Sequence, residues 1–243
     1  MEDDVMADRL DKFISTNSGL TRSEAKRALA GGRVTVNGVI CKKGDIKTED
    51  TDRIALDGRE LKAFKNVYIL LYKPAGVVSA TEDSRDKTVL DLVKENEEIS
   101  ENCPKNGLFP VGRLDKDTEG LLVISDDGML AHELLSPKKH VEKEYLAECT
   151  GRLDDDAAKR FGEGLPVGSE YVAKPAKLVT VSEEENTCTL RITLTEGRFH
   201  QVKRMCHEVG VEVTYLKRIR FGKLTLPEDM RPGDMKFIKK EDI

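Results

Sequence analysis

Residues 112–123, Gly-Arg-Leu-Asp-Lys-Asp-Thr-Glu-Gly-Leu-Leu-Val, join a glycine-bounded turn to an apolar segment, and this junction decides the fold. The pattern predicts that Asp115 lies at the edge of a sheet, with Arg113 two residues away and a strand over 121–124 directly after it. A neighbouring cation keeps a carboxylate ionised and suits it to act as a nucleophile or a base. An Asp beside a turn is also a common cap or turn residue, so the residues alone leave both interpretations open.

Length and composition indicate a soluble globular protein with a heavily ionised surface. The chain has 243 residues, of which 38% are hydrophobic and 35% charged, enough for one catalytic domain and a smaller one. The longest apolar run is too short to span a membrane, and the N-terminus does not resemble a signal peptide. We therefore expect a cytoplasmic protein that does not associate with membranes, and a monomer.

The cysteines and the missing nucleotide-binding motifs argue against metal or cofactor chemistry. Five cysteines are present, an odd number without a Cys-x-x-Cys pair: Cys41, Cys103, Cys149, Cys188 and Cys206. This pattern indicates neither a disulfide framework nor a zinc site. The chain also contains neither a Gly-x-Gly-x-x-Gly sequence nor a phosphate-binding Gly-Lys-Ser/Thr loop. We expect reduced thiols, no metal site and no cofactor.

The charge of the chain is segregated, although the net charge is only −5. Basic residues exceed acidic ones by six over Arg9–Lys47 and by five over Arg191–Lys223, while acidic residues concentrate at 95–101, 154–156 and 183–185. Two positive regions on an acidic body suit a protein that binds a polyanion locally and stays soluble. The alternative is that these clusters are merely solvated faces.

Residues 6–60 predict a compact unit of two helices and a hairpin. Thr21-Arg-Ser-Glu24 is a capping box, so a helix should begin near Arg22 and end at Gly31-Gly32. Asn37-Gly38 is a strong hairpin signal between alternating residues. Six apolar residues should face inward from the two helices: Leu10, Phe13, Ile14, Ala25, Ala28 and Leu29.

This unit resembles the S4 RNA-binding domain in the stretches RLDKFIS (9–15), TRSEAKRAL (21–29) and GRVTVNG (32–38). The resemblance implies contacts with RNA phosphates, which position a protein without reading sequence. The implied contacts are Arg9, Lys12, Arg22, Lys26, Arg27 and Arg33. A small helical dimerisation domain with a basic surface is the alternative. We expect this domain to cover residues 1–62 and a second domain to cover 67–243; the acidic prefix Met1–Asp4 has no predicted role.

The second domain reads as strands separated by turns and short helices. A strand over 67–72 should end at the loop Lys73-Pro-Ala-Gly76, and a helix after Gly128 should turn Leu130, Leu134 and Leu135 inward. A half-buried strand ending near Leu194 is followed by a turn and by a helix predicted from Phe199 onward. In that helix, Val202, Met205, Cys206 and Val209 should face the core, and His200, Lys203, Arg204 and His207 should share the polar side.

Three stretches of this domain resemble the pseudouridine synthases that modify ribosomal RNA: GRLDKDTEGLL (112–122), KEY (143–145) and EGRFHQVKRM (196–205). The resemblance implies an α+β fold, in which a mixed, mainly antiparallel sheet carries a central RNA-binding cleft framed by the Lys73–Gly76 loop. It also implies isomerisation of a uridine to pseudouridine without a cofactor.

The same resemblance assigns roles to individual residues. It makes Asp115 the catalytic carboxylate, Tyr145 the residue that stacks on the target base, and Lys203 the basic partner of Asp115. It implies RNA contacts for Arg113, Arg198 and Arg204. His200 and Gln201 are expected to be structural or to contact RNA, since no third metal ligand is suitably spaced.

Within the family the chain looks most like the RsuA group, which acts on small-subunit (16S) RNA, in the stretches 83–90, 136–137 and 174–178. The expected partner is ribosomal RNA or a ribosome-assembly particle. Three alternatives stay open: a large-subunit (23S) RNA pseudouridine synthase, a non-catalytic RNA-binding assembly factor, and a hydrolase that pairs Asp115 with Asp117.

Overall fold

The computed structural model describes residues 8–64 and 66–243, so the acidic prefix at Met1–Asp4 lies outside the described residues. Contacts define two compact units: the first contains the described residues up to Val67 and Lys94–Leu108, and the second contains Tyr68–Val93 and Phe109–Ile243.

The regular elements are short, and strands outnumber helices. The helices are α1 (Leu10–Ser18), α2 (Arg22–Ala30), α3 (Val89–Glu95), α4 (Glu97–Glu101), α5 (Gly128–Leu135), α6 (Ala157–Glu163) and α7 (Gln201–His207), with a final 3₁₀ turn at Lys240–Asp242. The strands are β1 (Val34–Val36), β2 (Val39–Ile40), β3 (Ile54–Leu56), β4 (Arg59–Glu60), β5 (Tyr68–Lys73), β6 (Phe109–Val111), β7 (Glu119–Ser125), β8 (Lys143–Gly151), β9 (Pro166–Val167), β10 (Tyr171–Val172), β11 (Lys177–Glu183), β12 (Thr187–Leu194), β13 (Val211–Phe221), β14 (Leu224–Thr225) and β15 (Met235–Phe237).

The first unit packs α1 and α2 together, and the predicted helix signals are confirmed. Thr21 and Glu24 form the reciprocal capping box, and α2 begins at Arg22. All six apolar residues predicted to face inward from the two helices are buried. Asn37 and Gly38 both adopt positive φ, at 53° and 82°, as a tight hairpin turn requires.

The prediction of a single hairpin in this unit was incomplete. A second hairpin turns at Asp57-Gly58, and the two hairpins form one four-stranded sheet in the order β2-β1-β3-β4. The Asp-Gly pair beside Ile54-Ala-Leu56 carries the usual hairpin signal, which the acidic composition of the segment obscured.

The later segment Lys94–Leu108 also belongs to the first unit. The predicted boundaries at 62 and 67 place this segment in the second domain. The backbone N–H groups of Lys105 and Asn106 both donate to the carbonyl of Thr16, at 2.8 and 3.1 Å. The Asn106 side chain also donates to the carbonyl of Ser15 at 2.9 Å. These contacts are tertiary, and no local sequence pattern encodes them.

The second unit is built on a nine-stranded sheet, and the predicted α+β class with a mixed, mainly antiparallel sheet is confirmed. The main path runs β11-β12-β8-β13-β7-β5-β15, with β14 and β6 paired to β13 and β7. Among the strand pairings of this sheet in the described residues, only that of β13 with β7 is parallel. The apolar residues of β7 over 121–124 are fully buried, as the sequence predicts.

Two details of the predicted helices were wrong. In α5, Leu130 and Leu134 are buried but Leu135 is 43% exposed, because it is the last helical residue and falls off the i, i+4 stripe. Helix α7 begins at Gln201 rather than Phe199, because the backbone of His200 is left-handed with φ 48°. The predicted core stripe of this segment, from Val202 to Val209, is confirmed.

Strands β7 and β13 pair at Gly120, immediately after the turn that carries Asp115. Gly120 has φ +107°, and a Cβ there would lie 2.2 Å from the carbonyl oxygen of Arg218. Only glycine permits this parallel pairing, so the Gly in the second half of the 112–123 stretch has a packing role. Within the described residues, no helix has the length and apolar character needed to cross a membrane.

We predict that Gly120→Ala destabilises the protein by more than about 4 kcal/mol, because it combines backbone strain with a clash against a neighbouring backbone. Gly233 is the matched control: its φ is +100°, and its added Cβ meets nothing within 4 Å. Gly233→Ala should cost only the strain, roughly 1–3 kcal/mol. Urea denaturation of both variants measures the difference, and equal losses would contradict the packing role of Gly120.

Candidate active site

The second unit contains a cleft of about 570 Å³ lined by residues from six separate stretches of the chain. Of the residues that the sequence nominates, Asp115, Tyr145, Arg113 and Arg198 all line it. Residues 112–115 and 194–202 supply much of the wall, and Lys143 and Tyr145 also line it, so all three recognised motifs meet here. Tyr145, from the KEY motif, is 8% exposed and lies on β8.

Asp115 lies in a tight turn rather than on a strand. The backbone N–H of Thr118 donates to the carbonyl of Asp115 at 3.0 Å, and β7 begins at the next residue, Glu119. The side chain of Asp115 is 30% exposed. A partly exposed carboxylate on a turn at the wall of a cleft can reach a bound molecule.

A buried ammonium group donates hydrogen bonds to the backbone of this turn. Lys73, at the end of β5, is fully buried, and its Nζ donates to the carbonyls of Thr118 at 2.8 Å and Lys116 at 3.4 Å. Burial lowers the pKa of Lys73 to about 8. The carboxylates of Asp117, Glu119 and Asp115 oppose that shift. Lys73 therefore acts as a positioning residue for the turn.

The loop after Lys73 adds two further contacts to the turn. The N–H of Gly76 donates to the carbonyl of Lys116 at 2.7 Å. The hydroxyl of Ser79 donates to the carbonyl of Leu114 and accepts from the N–H of the same residue, both at 3.0 Å. Lys73, Gly76 and Ser79 thus hold the backbone on both sides of Asp115.

Lys203 is not placed as the partner of Asp115, contrary to the prediction. Its Nζ lies 2.6 and 2.7 Å from the two carboxylate oxygens of Asp117, and it is not among the residues that line the cleft. The hydrogen bond from Lys203 lowers the pKa of Asp117. The reason is geometric: α7 begins only at Gln201, so Lys203 reaches the far end of the turn.

His200 occupies the position next to Asp115 instead. Its Nε2 lies 3.8 Å from Oδ2 of Asp115, and its ring stacks on Phe199 with centroids 3.8 Å apart. Phe199 is 74% exposed at the wall of the cleft. The left-handed backbone of His200 sets the orientation of the Phe199 and His200 side chains. A helical periodicity read from the sequence does not predict this backbone conformation.

The inner wall of the cleft combines one aromatic ring with two buried cations. Tyr145 lies on β8 two residues after Lys143 and directly opposite Arg218 of β13. Lys143 is 8% exposed and Arg218 is 2% exposed, and both line the cleft. Among the residues that the structure describes, no group of three or more His, Cys, Asp or Glu side chains is arranged to hold a metal ion.

Comparison with known proteins agrees with this arrangement. The RNA pseudouridylate synthase family matches residues 67–208, and the S4 domain matches residues 8–54. This chain belongs to the RNA pseudouridylate synthase family. It is therefore an enzyme that isomerises uridine in RNA, with an S4 domain before its synthase domain.

Relatives of this synthase are similar along nearly the whole chain. An uncharacterized RNA pseudouridine synthase of Aquifex aeolicus is 40% identical over 236 residues, which cover 97% of this chain and 94% of the relative. The ribosomal small subunit pseudouridine synthase A of Vibrio cholerae is 38% identical over 236 residues, 97% of each chain. A crystal structure of a pseudouridylate synthase aligns with TM-score 0.64 and 32% identity, covering 96% of this chain and 97% of that one.

The six cations predicted to contact RNA from the S4 domain of this synthase are all exposed. Four make short ion pairs within the first unit: Arg9 and Arg22 with the buried Asp11, Lys12 with Asp8, and Arg33 with Asp57. Arg27 lies 4.0 Å from Glu24, and Lys26 has no ion-pair partner in the described part of the chain.

Two of the arginines predicted to contact RNA, one on α7 and one just before it, lie over the same aromatic ring. The guanidinium groups of Arg198 and Arg204 lie 4.4 and 5.4 Å from the centroid of Tyr171. Arg204 also pairs with Glu170 at 3.0 Å and does not line the cleft, whereas Arg198 does. The exposed Arg113 lines the cleft beside Asp115.

Sequence reasoning missed the residues that act from a distance in the chain. Lys73 and Ser79 lie more than thirty residues before the turn that they hold, and Arg218 lies about a hundred residues after it. The Lys-Pro-Ala-Gly motif was a signal for Lys73, although it does not indicate which groups the ammonium contacts. No local pattern singles out Ser79.

We predict that Lys73→Met removes a pH dependence of stability. The pKa of Lys73 falls from 10.5 to about 8 on folding, so between these values the unfolded state binds more protons and stability rises with pH. The stability of the wild type relative to Lys73→Met should increase by about 1–2 kcal/mol between pH 7.5 and pH 9.5. Urea denaturation at both pH values tests this, with Lys138→Met at an exposed position as the control. A difference that does not vary with pH would contradict it.

Proposed function

We propose that this enzyme converts one uridine of small-subunit (16S) ribosomal RNA to pseudouridine, with Asp115 as its catalytic carboxylate. The observation that carries the proposal is the position of Asp115 on a braced turn in the same cleft as Tyr145. The choice of substrate rests on relatives such as the Vibrio cholerae protein, whose name specifies the small ribosomal subunit.

The cleft suits chemistry on a base that has left its stack. The glycosidic bond of a stacked uridine is inaccessible, so the nucleotide must be extruded, at a cost of a few kcal/mol. Tyr145 offers a ring on which the extruded base can stack, which contributes roughly 1–3 kcal/mol. Asp115 then attacks the ribose or removes a sugar proton, and both roles require an ionised carboxylate beside the sugar.

The S4 domain supplies affinity for the phosphate backbone through its exposed cations, and the rim residues Arg113 and Arg198 add contacts near the extruded nucleotide. We propose a monomer as the working form. The proposed partner is ribosomal RNA or a ribosome-assembly particle. Such a substrate is made where ribosomes are assembled, which supports action in the cytoplasm.

We predict that Asp115→Asn lowers turnover more than about 1,000-fold while RNA affinity stays within about twofold, since the exchange removes the reacting carboxylate and keeps its shape. Asp117→Asn is the matched control two residues away. It breaks only a partly exposed ion pair, so its turnover should stay within about fivefold of the wild type. Tritium release from 5-tritiated uridine in RNA measures both variants.

The same assay tests the substrate and the alternatives. Release from 16S RNA, free or in partly assembled particles, supports the proposal. Release from 23S RNA alone would make the protein a large-subunit enzyme. Tight RNA binding without release from any RNA would favour an assembly factor, and a loss of affinity in Asp115→Asn equal to its loss of turnover would contradict a catalytic role.

We predict that the S4 domain contributes through phosphate contacts. Lys26→Gln should weaken binding to all RNAs alike and reduce the slope of log affinity against log salt by about 1. Arg53→Gln is the control, because Arg53 is exposed in the same unit but paired to Glu60 at 2.9 Å. Filter binding between 50 and 200 mM salt separates the two variants, and identical slopes would contradict a phosphate contact at Lys26.

A further inference from the structure

The inner wall of the cleft carries two buried cations that no carboxylate neutralises. The Nζ of Lys143 donates to the carbonyl of Val141 at 2.9 Å, and Nε of Arg218 donates to the carbonyl of Leu121 at 2.8 Å. Nη2 of Arg218 is buried without a hydrogen-bond partner in the described structure. Neither cation has an acidic side chain of the described residues within ion-pair distance, and the roles given above to Asp115 and Tyr145 use neither.

Burying these two cations without an opposite charge costs free energy. Hydrogen bonds to carbonyls replace only part of the hydration that a buried charge loses when no opposite charge is near. Both cations lie over the ring of Phe221, at 5.4 and 4.9 Å from its centroid. Such cation–π contacts offset part of this cost and leave the charges unneutralised. Burial, with a contribution from Arg218, also lowers the pKa of Lys143 to about 8.

The position of the two cations indicates which part of a substrate they meet. Lys143 lies two residues before Tyr145 on the same face of β8, and Arg218 pairs directly with Tyr145 across β8 and β13. A flat ring stacked on Tyr145 therefore has both cations beside it. The exposed cations Arg113 and Arg198 are better placed for phosphates, which remain near solvent.

We propose that Lys143 and Arg218 contact the carbonyl oxygens of the target uracil and stabilise the negative charge that the ring carries while it is detached; the inference rests on the proposed function. When the C1′–N1 bond breaks, its electron pair leaves with the ring and spreads onto the two oxygens. C1′ then either bonds to Asp115 or, once Asp115 has taken the C2′ proton, forms a C1′=C2′ double bond. The ring bonds to C1′ through C5, which breaks the bond to Asp115 or returns the proton to C2′; C5 then loses its proton and N1 gains one. Both roles open to Asp115 pass through this anion, so the stabilisation serves either.

The decisive variant is Lys143→Met, which keeps the length of the side chain and removes its charge. Removing one donor that stabilises a developing anion lowers kcat by roughly 10²–10³-fold. We expect that loss with RNA affinity within about twofold, and recovery of most of the activity in Lys143→Arg. Lys138→Met, an exposed lysine on the same segment, is the matched control.

A second substrate separates charge stabilisation from a structural effect. In RNA that carries 5-fluorouridine, fluorine withdraws electrons and stabilises the detached ring by itself. The deficit of Lys143→Met, measured as single-turnover consumption of the target nucleotide in RNA digests, should therefore shrink on fluorinated RNA. If Lys143→Met fails to fold, as judged by circular dichroism, Lys143→Gln takes its place in the same comparison.

Each other outcome overturns the proposal. An unchanged kcat removes the role, and an equal deficit on both RNAs makes it structural. A loss of affinity with kcat retained would assign the cations to a phosphate. Absence of turnover in the wild type itself would contradict the proposed function, which is a separate result from any difference between wild type and variant.

Discussion

The hydrogen bonds from the buried ammonium of Lys73 to the carbonyls of Lys116 and Thr118 are the interaction on which the site depends. They fix a short turn that has no regular secondary structure of its own. Gly120 fixes the other end, since its lack of a Cβ lets β7 lie against β13. Asp115 is therefore held between a strand end and a sheet contact, and a carboxylate so fixed keeps one orientation toward the cleft.

In the second unit, the cations at the rim of the cleft and those on its inner wall have different partners. Exposed cations at the rim make cation–π or ion-pair contacts with neighbours, as Arg198 does with Tyr171 and Glu196. Among the described residues, the polar and cation–π contacts of the inner-wall cations Lys143 and Arg218 are with carbonyls and an aromatic ring. An opposite charge that neutralised them would also reduce the electrostatic effect of the wall on a bound ring.

The S4 domain uses charge differently. Its arginines are exposed, and a buried carboxylate, Asp11, bonds to both Arg9 and Arg22. Burial disfavours ionisation of Asp11, yet the hydrogen bonds from the two arginines outweigh it and lower the pKa. A single buried carboxylate can thus orient two cations toward solvent without removing them from reach of a phosphate.

The sequence alone determined the local features of this protein: the capping box at Thr21–Glu24, the Asn37-Gly38 turn, the apolar strand after Asp115 and the core stripe of α7. These depend on contacts between residues a few positions apart, which periodicity and turn chemistry record. The motifs also determined the family, because their residue types and order are specific.

Only the tertiary structure decided which partners the site residues have. In the structure, His200 lies beside Asp115, and Lys203 pairs with Asp117. Lys73 contacts the turn and Arg218 lines the cleft, although both lie on strands distant in sequence. A left-handed residue before α7 moved the helix start by two positions, which changes the direction of every side chain near it. Such partners depend on sheet order and backbone direction across about a hundred residues, and a linear pattern does not contain them.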